Sequence, residues 1–162
     1  MSIARVHPAD MVLYQTERYN NRDFSYDVQI SSDGDYVLVL KFVEVYFQSS
    51  NEKIFDVVLN SQHTVVSNLD IFSKVGRAVA HDEIIPFSVN DGQFTVYGDT
   101  SDFDGTLVIE FVKGSRDNPK INAVVVAKGK PHELPSLMPL EAVKQQNPKR
   151  DGDVEWLSLI HI

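Results

Sequence analysis

Cysteine is absent from this chain of 162 residues, which excludes a disulfide framework and any thiolate zinc site. The absence leaves the compartment open, because a cysteine-free domain folds in reducing or oxidising surroundings alike. Positive charge is scarce: 15 Lys and Arg stand against 23 Asp and Glu, a formal net charge of −8. Nucleic acid and anionic membranes both select clustered cations, so this balance argues against either as a partner. No apolar run approaches the roughly 20 residues that span a bilayer. The opening MSIARVHPADMV lacks the apolar core of a secretory signal. As written, the chain is expected to be soluble and without a visible address. Phosphate-cradling glycine loops, dinucleotide fingerprints, G-x-S-x-G elbows and H-E-x-x-H helices are missing as well, and no cofactor or metal is expected.

Apolar and aromatic side chains are plentiful, at 43% hydrophobic with 10% aromatic. That content fits a globular chain with one sizeable core. The densest run, YVLVLKFVEVYF from Tyr36 to Phe47, carries only Lys41 and Glu44 as charges. Tyr36, Leu38, Leu40, Phe42 and Tyr46 share one face of a strand there, and Val37, Val39, Val43, Val45 and Phe47 share the other. A strand apolar on both faces is normally covered on both. The Tyr46–Phe47 end, where the strand leaves the core, can close that core or face a flat ligand.

Around this run the alternation of apolar and polar residues predicts further short strands. Phe24–Ile30 reads as one, joined by a hairpin turn at Ser31–Asp35 to the long run. Phe55–Leu59, Thr64–Val66, Ile84–Val89, Phe94–Val96, Leu107–Val112 and Ile121–Ala127 follow. Pro86 suggests an edge or bulge, and Asn90–Asp91–Gly92 is a strong hairpin signal. A helical turn is expected near Leu69–Phe72, ended by Gly76, and polar loops at Asp99–Gly105 and Gly114–Lys120. Seven or eight such strands indicate an all-β fold, an antiparallel β-sandwich of jelly-roll type. The domain is placed at residues 11–130. Residues 131–162 read as a proline-punctuated tail, with a helical turn at Leu140–Gln146 and an apolar terminus, Trp156–Ile162, that periodicity does not explain.

Candidate chemistry is sparse. His81–Asp82–Glu83 is the one dense polar cluster; on a strand His81 and Glu83 share a side while Asp82 points away, and a solvated charge pair is the expected outcome. Glu44 and Glu110 interrupt apolar strands, where a hydrolase would need two facing carboxylates about 5 to 9 Å apart; edge-facing or salt-bridged roles are favoured for both. Tyrosine pairs an apolar ring with a hydroxyl and suits the boundary between core and water. A sugar presents a C–H face and a rim of hydroxyls, so a lectin site needs aromatic platforms beside carboxylates or amides. Tyr19, Tyr46, Phe47 and Asp117 fall at strand ends or loops, where such sites are built, although tyrosines there are more often caps on the core.

The blocks LYQTERYN (Leu13–Asn20), DYVLVLKFVEVYF (Asp35–Phe47), FDVVLN (Phe55–Asn60), LDIFSKVGRAVAHDEIIPFSV (Leu69–Val89) and LVIEFVKG with DNPK (Leu107–Lys120) occur in an order that resembles the malectins. The resemblance implies a non-enzymatic β-sandwich lectin of the endoplasmic reticulum. Its ligand would be the α-linked glucose disaccharide of glucosylated high-mannose N-glycans on nascent glycoproteins. It also implies a role in glycoprotein quality control, association with ribophorin I of the oligosaccharyltransferase complex, and a membrane anchor. By position, Tyr19, Tyr46, Phe47 and Asp117 would be the carbohydrate-binding residues. The VNAGG-like first strand and SDYG-like loop of the family have no counterpart, and Ser115–Arg116 stands where two tyrosines are frequent. A truncated or variant form is therefore expected, with an unpaired sheet edge and some uncovered core. The alternative is a protein-interaction sandwich whose sugar site is disabled.

Overall fold

A computed structural model describes residues 3–137 and the backbone strand Glu155–His161. The chain enters through a short helix, α1 (Val12–Gln15), and the two-residue strand β1 (Arg18–Tyr19). Strands β2 (Phe24–Gln29), β3 (Gly34–Val43), β4 (Ile54–Leu59) and β5 (His63–Leu69) follow. Helix α2 (Ile71–Val75) begins where the Asp70 carboxylate accepts from the Ser73 N–H and ends at Gly76 with φ 85°, a conformation glycine reaches without a Cβ penalty. Then come β6 (Ala80–Asn90), β7 (Gln93–Val96), β8 (Asp99–Asp102) and β9 (Thr106–Arg116). The series closes with β10 (Lys120–Ile121), β11 (Ala123–Lys128) and β12 (Glu155–His161).

The strands form a six-stranded sheet in the order β12-β11-β3-β6-β7-β8, a four-stranded sheet β2-β9-β4-β5, and the small pair β1-β10. All paired strands are antiparallel. The two larger sheets face one another across one core. Phe24, Val28, Phe55, Val57, Leu59, Leu107, Ile109 and Phe111 come from one side; Tyr36, Leu38, Leu40, Phe42, Ile85, Phe87, Phe94 and Val124 come from the other. This is the expected all-β sandwich.

β3 is covered on both faces. Val37 and Val39 pack with Val125 and Leu134 on the outer face, and Val43 joins Ile3, Val6, Tyr14 and Ala80. Leu137 packs against that second group, so residues 134–137 belong to the domain's surface and do not trail from it. The strand ends at Val43, four residues short of the run's end; Glu44 makes only an isolated bridge to Arg77, and the backbone bends at Tyr46.

Several expectations are corrected. Ser31–Asp35 is not a hairpin turn: β2 pairs with β9, and β3 pairs with β6 and β11, so this turn carries the chain between sheets. Asp99–Gly105 contains strand β8, hairpinned to β7 through Tyr97 (φ 48°) and Gly98 (φ 82°). Pro86 lies on an interior strand, one residue beyond its last pair with β7, Phe87↔Val96. The apolar terminus is β12, antiparallel to β11 from Ala123↔His161 to Lys128↔Glu155, so β11 is not an unpaired edge. Ile3 and Val6 are buried, which covers core at the start of the chain. The helical turn expected at Leu140–Gln146 lies outside the described residues. Asn90–Asp91–Gly92 does form the β6–β7 hairpin, with φ 48° at Asp91 and 73° at Gly92.

Candidate functional site

Beyond Val43 the chain leaves the sheet under tight control. The Val43 N–H donates to Asn122 Oδ1 at 2.9 Å, and Asn122 Nδ2 donates to the carbonyls of Tyr14 (3.2 Å) and Thr16 (2.8 Å). Glu44 is 2% exposed, and its Oε1 accepts from the backbone N–H of Tyr46 at 2.8 Å and of Phe47 at 3.2 Å. A carboxylate accepting two backbone donors is a charge-assisted clamp. Arg77 Nε adds a bond to the Val45 carbonyl at 2.9 Å. The result is a turn that holds the Tyr46 ring 78% exposed, with the Phe47 ring perpendicular to it at 5.0 Å between centroids. Glu44 is thus a buried backbone clamp and not edge-facing, and among the described residues it forms no salt bridge.

Tyr19 and Asp117 reach the same end of the sandwich by different routes. Tyr19, 64% exposed, pairs with Lys120 across β1 and β10. Its neighbour Arg18 lies over the rings of Phe24 (4.8 Å) and Tyr26 (5.0 Å), anchoring β1 to the four-stranded sheet. Lys120 is 1% exposed, and its ammonium donates to the Glu17 carboxylate and to the Val43 carbonyl. Burial pushes this lysine below the ordinary lysine range, against the opposing pull of Glu17 and Glu44. Asp117 turns the chain after β9 with φ 43°. Its Oδ2 lies 2.7 Å from Lys53 Nζ, which also donates to the Asn118 carbonyl at 3.0 Å and sits 5.6 Å from the centre of the Phe47 ring.

Three of the four candidate residues are therefore joined by side chains: Tyr46 to Phe47 by ring contact, and Phe47 to Asp117 through Lys53. Tyr19 enters through backbone pairing to Lys120, three positions beyond Asp117. Lys53, Lys120, Asn122 and Glu44 complete the arrangement. Glu44 stood out as a charge inside an apolar strand; nothing in the sequence marked the other three.

The remaining polar candidates lie elsewhere. His81 Nε2 and Glu83 Oε1 meet at 2.8 Å, sharing a strand face as the alternation requires. Asp82 points away, accepting from Tyr14 Oη at 2.6 Å and from Lys41 Nζ at 2.8 Å. Burial, and secondarily the Asp82 charge, raise the Tyr14 phenol well above its ordinary value. Glu110 is on β9 of the four-stranded sheet, whereas Glu44 continues β3 of the other sheet and spends one carboxylate oxygen on its own turn. Among the described residues no set of three or more His, Cys, Asp or Glu side chains gathers to hold a metal ion. An open groove of about 400 Å³ lies at the far end of β3, between Asp35, Tyr36, Phe87, Thr95 and Lys130. It lies at the opposite end of β3 from Tyr46 and Phe47.

The Malectin domain model matches residues 1–124. The chain belongs to the malectin family. It is 54% identical over 139 residues to Malectin of Danio rerio, covering 86% of this chain and 48% of that protein. With Malectin of Homo sapiens it is likewise 54% identical, over 86% of this chain and 47% of that one. The chain thus spans about half the length of the curated malectins it matches. Among solved structures it is similar to the ANX2 ectodomain of Arabidopsis thaliana, with a TM-score of 0.59 at 17% identity, covering 74% of this chain and 33% of that chain. A Bacteroides uniformis beta-glucuronidase superposes with a TM-score of 0.52 at 18% identity, over 73% and 12% of the two chains. At such identities the likeness is one of fold. Among the described residues of this malectin-family chain, no helix is long and apolar enough to cross a membrane.

Proposed function

We propose that this chain is a non-enzymatic carbohydrate-binding domain for the α-linked glucose disaccharide of glucosylated high-mannose N-glycans on nascent glycoproteins. Its place is the lumen of the endoplasmic reticulum, in glycoprotein quality control, with ribophorin I of the oligosaccharyltransferase complex as protein partner. The observation that carries the reading is the Tyr46–Phe47 pair: two rings at 87° to one another, the outer one strongly exposed, with Asp117 tied to the inner one through Lys53. Perpendicular rings offer a stacking face for a pyranose C–H surface and a second wall beside it. The Asp117 carboxylate accepts from sugar hydroxyls, a charged acceptor contributing about 1.5–3 kcal/mol per bond. Tyr19 supplies a further ring on β1.

Nigerose and maltose titrated into the chain by calorimetry test this reading. Saturable binding to the wild type is expected, lost in both Tyr46→Ala and Asp117→Ala. Because Tyr46 is exposed, its substitution is expected to leave stability within about 0.5 kcal/mol of wild type. Absence of binding to either disaccharide by the folded wild type, or undiminished binding by both variants, would overturn it.

A further inference from the structure

Lys120 is not a surface residue of the sugar platform, yet its ammonium and its backbone together join the three segments that bear the platform's residues. It donates to the Glu17 carboxylate, two residues before Tyr19. It donates to the Val43 carbonyl, at the point where β3 gives way to the Glu44-clamped turn carrying Tyr46 and Phe47. Its own backbone pairs with Tyr19 and follows directly on Asp117–Asn118–Pro119. As a stabiliser alone, a buried ammonium is a poor choice, since methionine of similar length fills the same space without the desolvation cost. Methionine lacks the donors that bind a carboxylate on one segment and a carbonyl on another from a third.

We infer that Lys120 is a positioning residue of the sugar site, fixing the separation of Tyr19, the Tyr46–Phe47 pair and Asp117 without touching the ligand. The inference deepens the carbohydrate-binding reading and rests on it. The groups around the ammonium agree with such a role: Glu17 and Glu44 favour its charge, and Lys53, the residue that holds Asp117, opposes it. Moving Lys120 therefore alters the field at both the Tyr46–Phe47 clamp and the Asp117 ion pair.

The test is nigerose titration of Lys120→Met and Lys120→Arg followed by amide chemical shifts, with shifts of the sugar-free proteins recorded first. In sugar-free Lys120→Met, the amides of Tyr19, Tyr46, Phe47 and Asp117 are expected to move together, while those of Val89 and Phe94, at the other end of the sheet, stay in place. Nigerose affinity is expected to fall at least tenfold, and Lys120→Arg, which keeps the charge and donors, to recover part of it. Shifts confined to residues 119–121, or affinity within twofold of wild type, would overturn the inference. A wild type that ignores nigerose overturns the sugar reading instead, and the sugar-free shifts still decide whether Lys120 couples the three segments. Should Lys120→Met not fold, Glu17→Gln removes the rim partner of the same ammonium. It is expected to weaken binding severalfold and move the Tyr19 amide, and wild-type behaviour in both would sink the idea.

Discussion

Lys53 Nζ and Asp117 Oδ2 stand 2.7 Å apart, and the same ammonium lies against the Phe47 ring. The lysine therefore holds the acceptor carboxylate in a set direction beside the aromatic wall. Lys53→Met is expected to keep the fold and weaken nigerose binding about fivefold, in keeping with roughly 1 kcal/mol for a partly exposed ion pair. Calorimetric titration at low and high salt checks it. The wild type should lose affinity with added salt and the variant much less; equal affinities would show that Asp117 needs no such partner.

Asn122 is 2% exposed and satisfies three backbone groups, the N–H of Val43 and the carbonyls of Tyr14 and Thr16. Asn122→Ala strands all three. A loss of about 2–4 kcal/mol is expected, since each buried orphan costs about 1–3 kcal/mol and water re-enters in part. Urea unfolding monitored by the single Trp156 or by circular dichroism measures it, and a loss under 1 kcal/mol would count against the bridge.

Tyr14 gives a pH dependence with a defined sign. Its phenol is raised above the ordinary 10.0 by burial and then by Asp82, so the folded state keeps a proton that the unfolded state sheds above about pH 10. Stability from this group is complete below pH 10 and declines as pH rises beyond it. Tyr14→Phe is expected to be less stable at neutral pH by about 1 kcal/mol, from the lost bond to Asp82. It should also show a shallower alkaline decline than wild type. Parallel slopes between pH 9.5 and 11 would show that Tyr14 is not the group responsible.

Deleting β12 leaves the outer edge of β11 without its partner strand. An apolar edge with open backbone groups favours edge-to-edge association. Ending the chain at residue 154 is expected to lower the thermal midpoint by several degrees and to produce concentration-dependent oligomers in sedimentation. A monomer of unchanged midpoint would show that β12 contributes nothing to the sheet.

Much of the sandwich is legible in residue order because burial on two faces leaves a plain trace. Val37, Val39 and Val43 alternate with Tyr36, Leu38, Leu40 and Phe42, and both sets are buried. The Asp91–Gly92 hairpin is equally open to reading, since positive φ at two successive positions demands those residue types. β8 is not: Asp99–Thr100–Ser101–Asp102 has the composition of a loop, and pairing with β7 on one edge makes it a strand. Nor does the Asp33–Gly34 turn announce whether its flanking strands pair with each other or with strands far along the chain. At the site, strand-end position makes Tyr19, Tyr46 and Phe47 candidates, and the family resemblance favours them as ligand residues over caps on the core. Lys53 and Lys120 were invisible because a lysine in sequence reads as surface, and only the folded chain brings Glu17, Val43 and Asp117 around them.

Glu44 fixes the turn ahead of Tyr46 and Phe47 through their backbone N–H groups and not through their side chains. The loop's shape is therefore written two residues upstream of the first ring it displays. Exchange of either ring leaves that scaffold intact, so ligand preference at this end of the domain can drift by single substitutions at positions 46 and 47 without a new loop having to be invented.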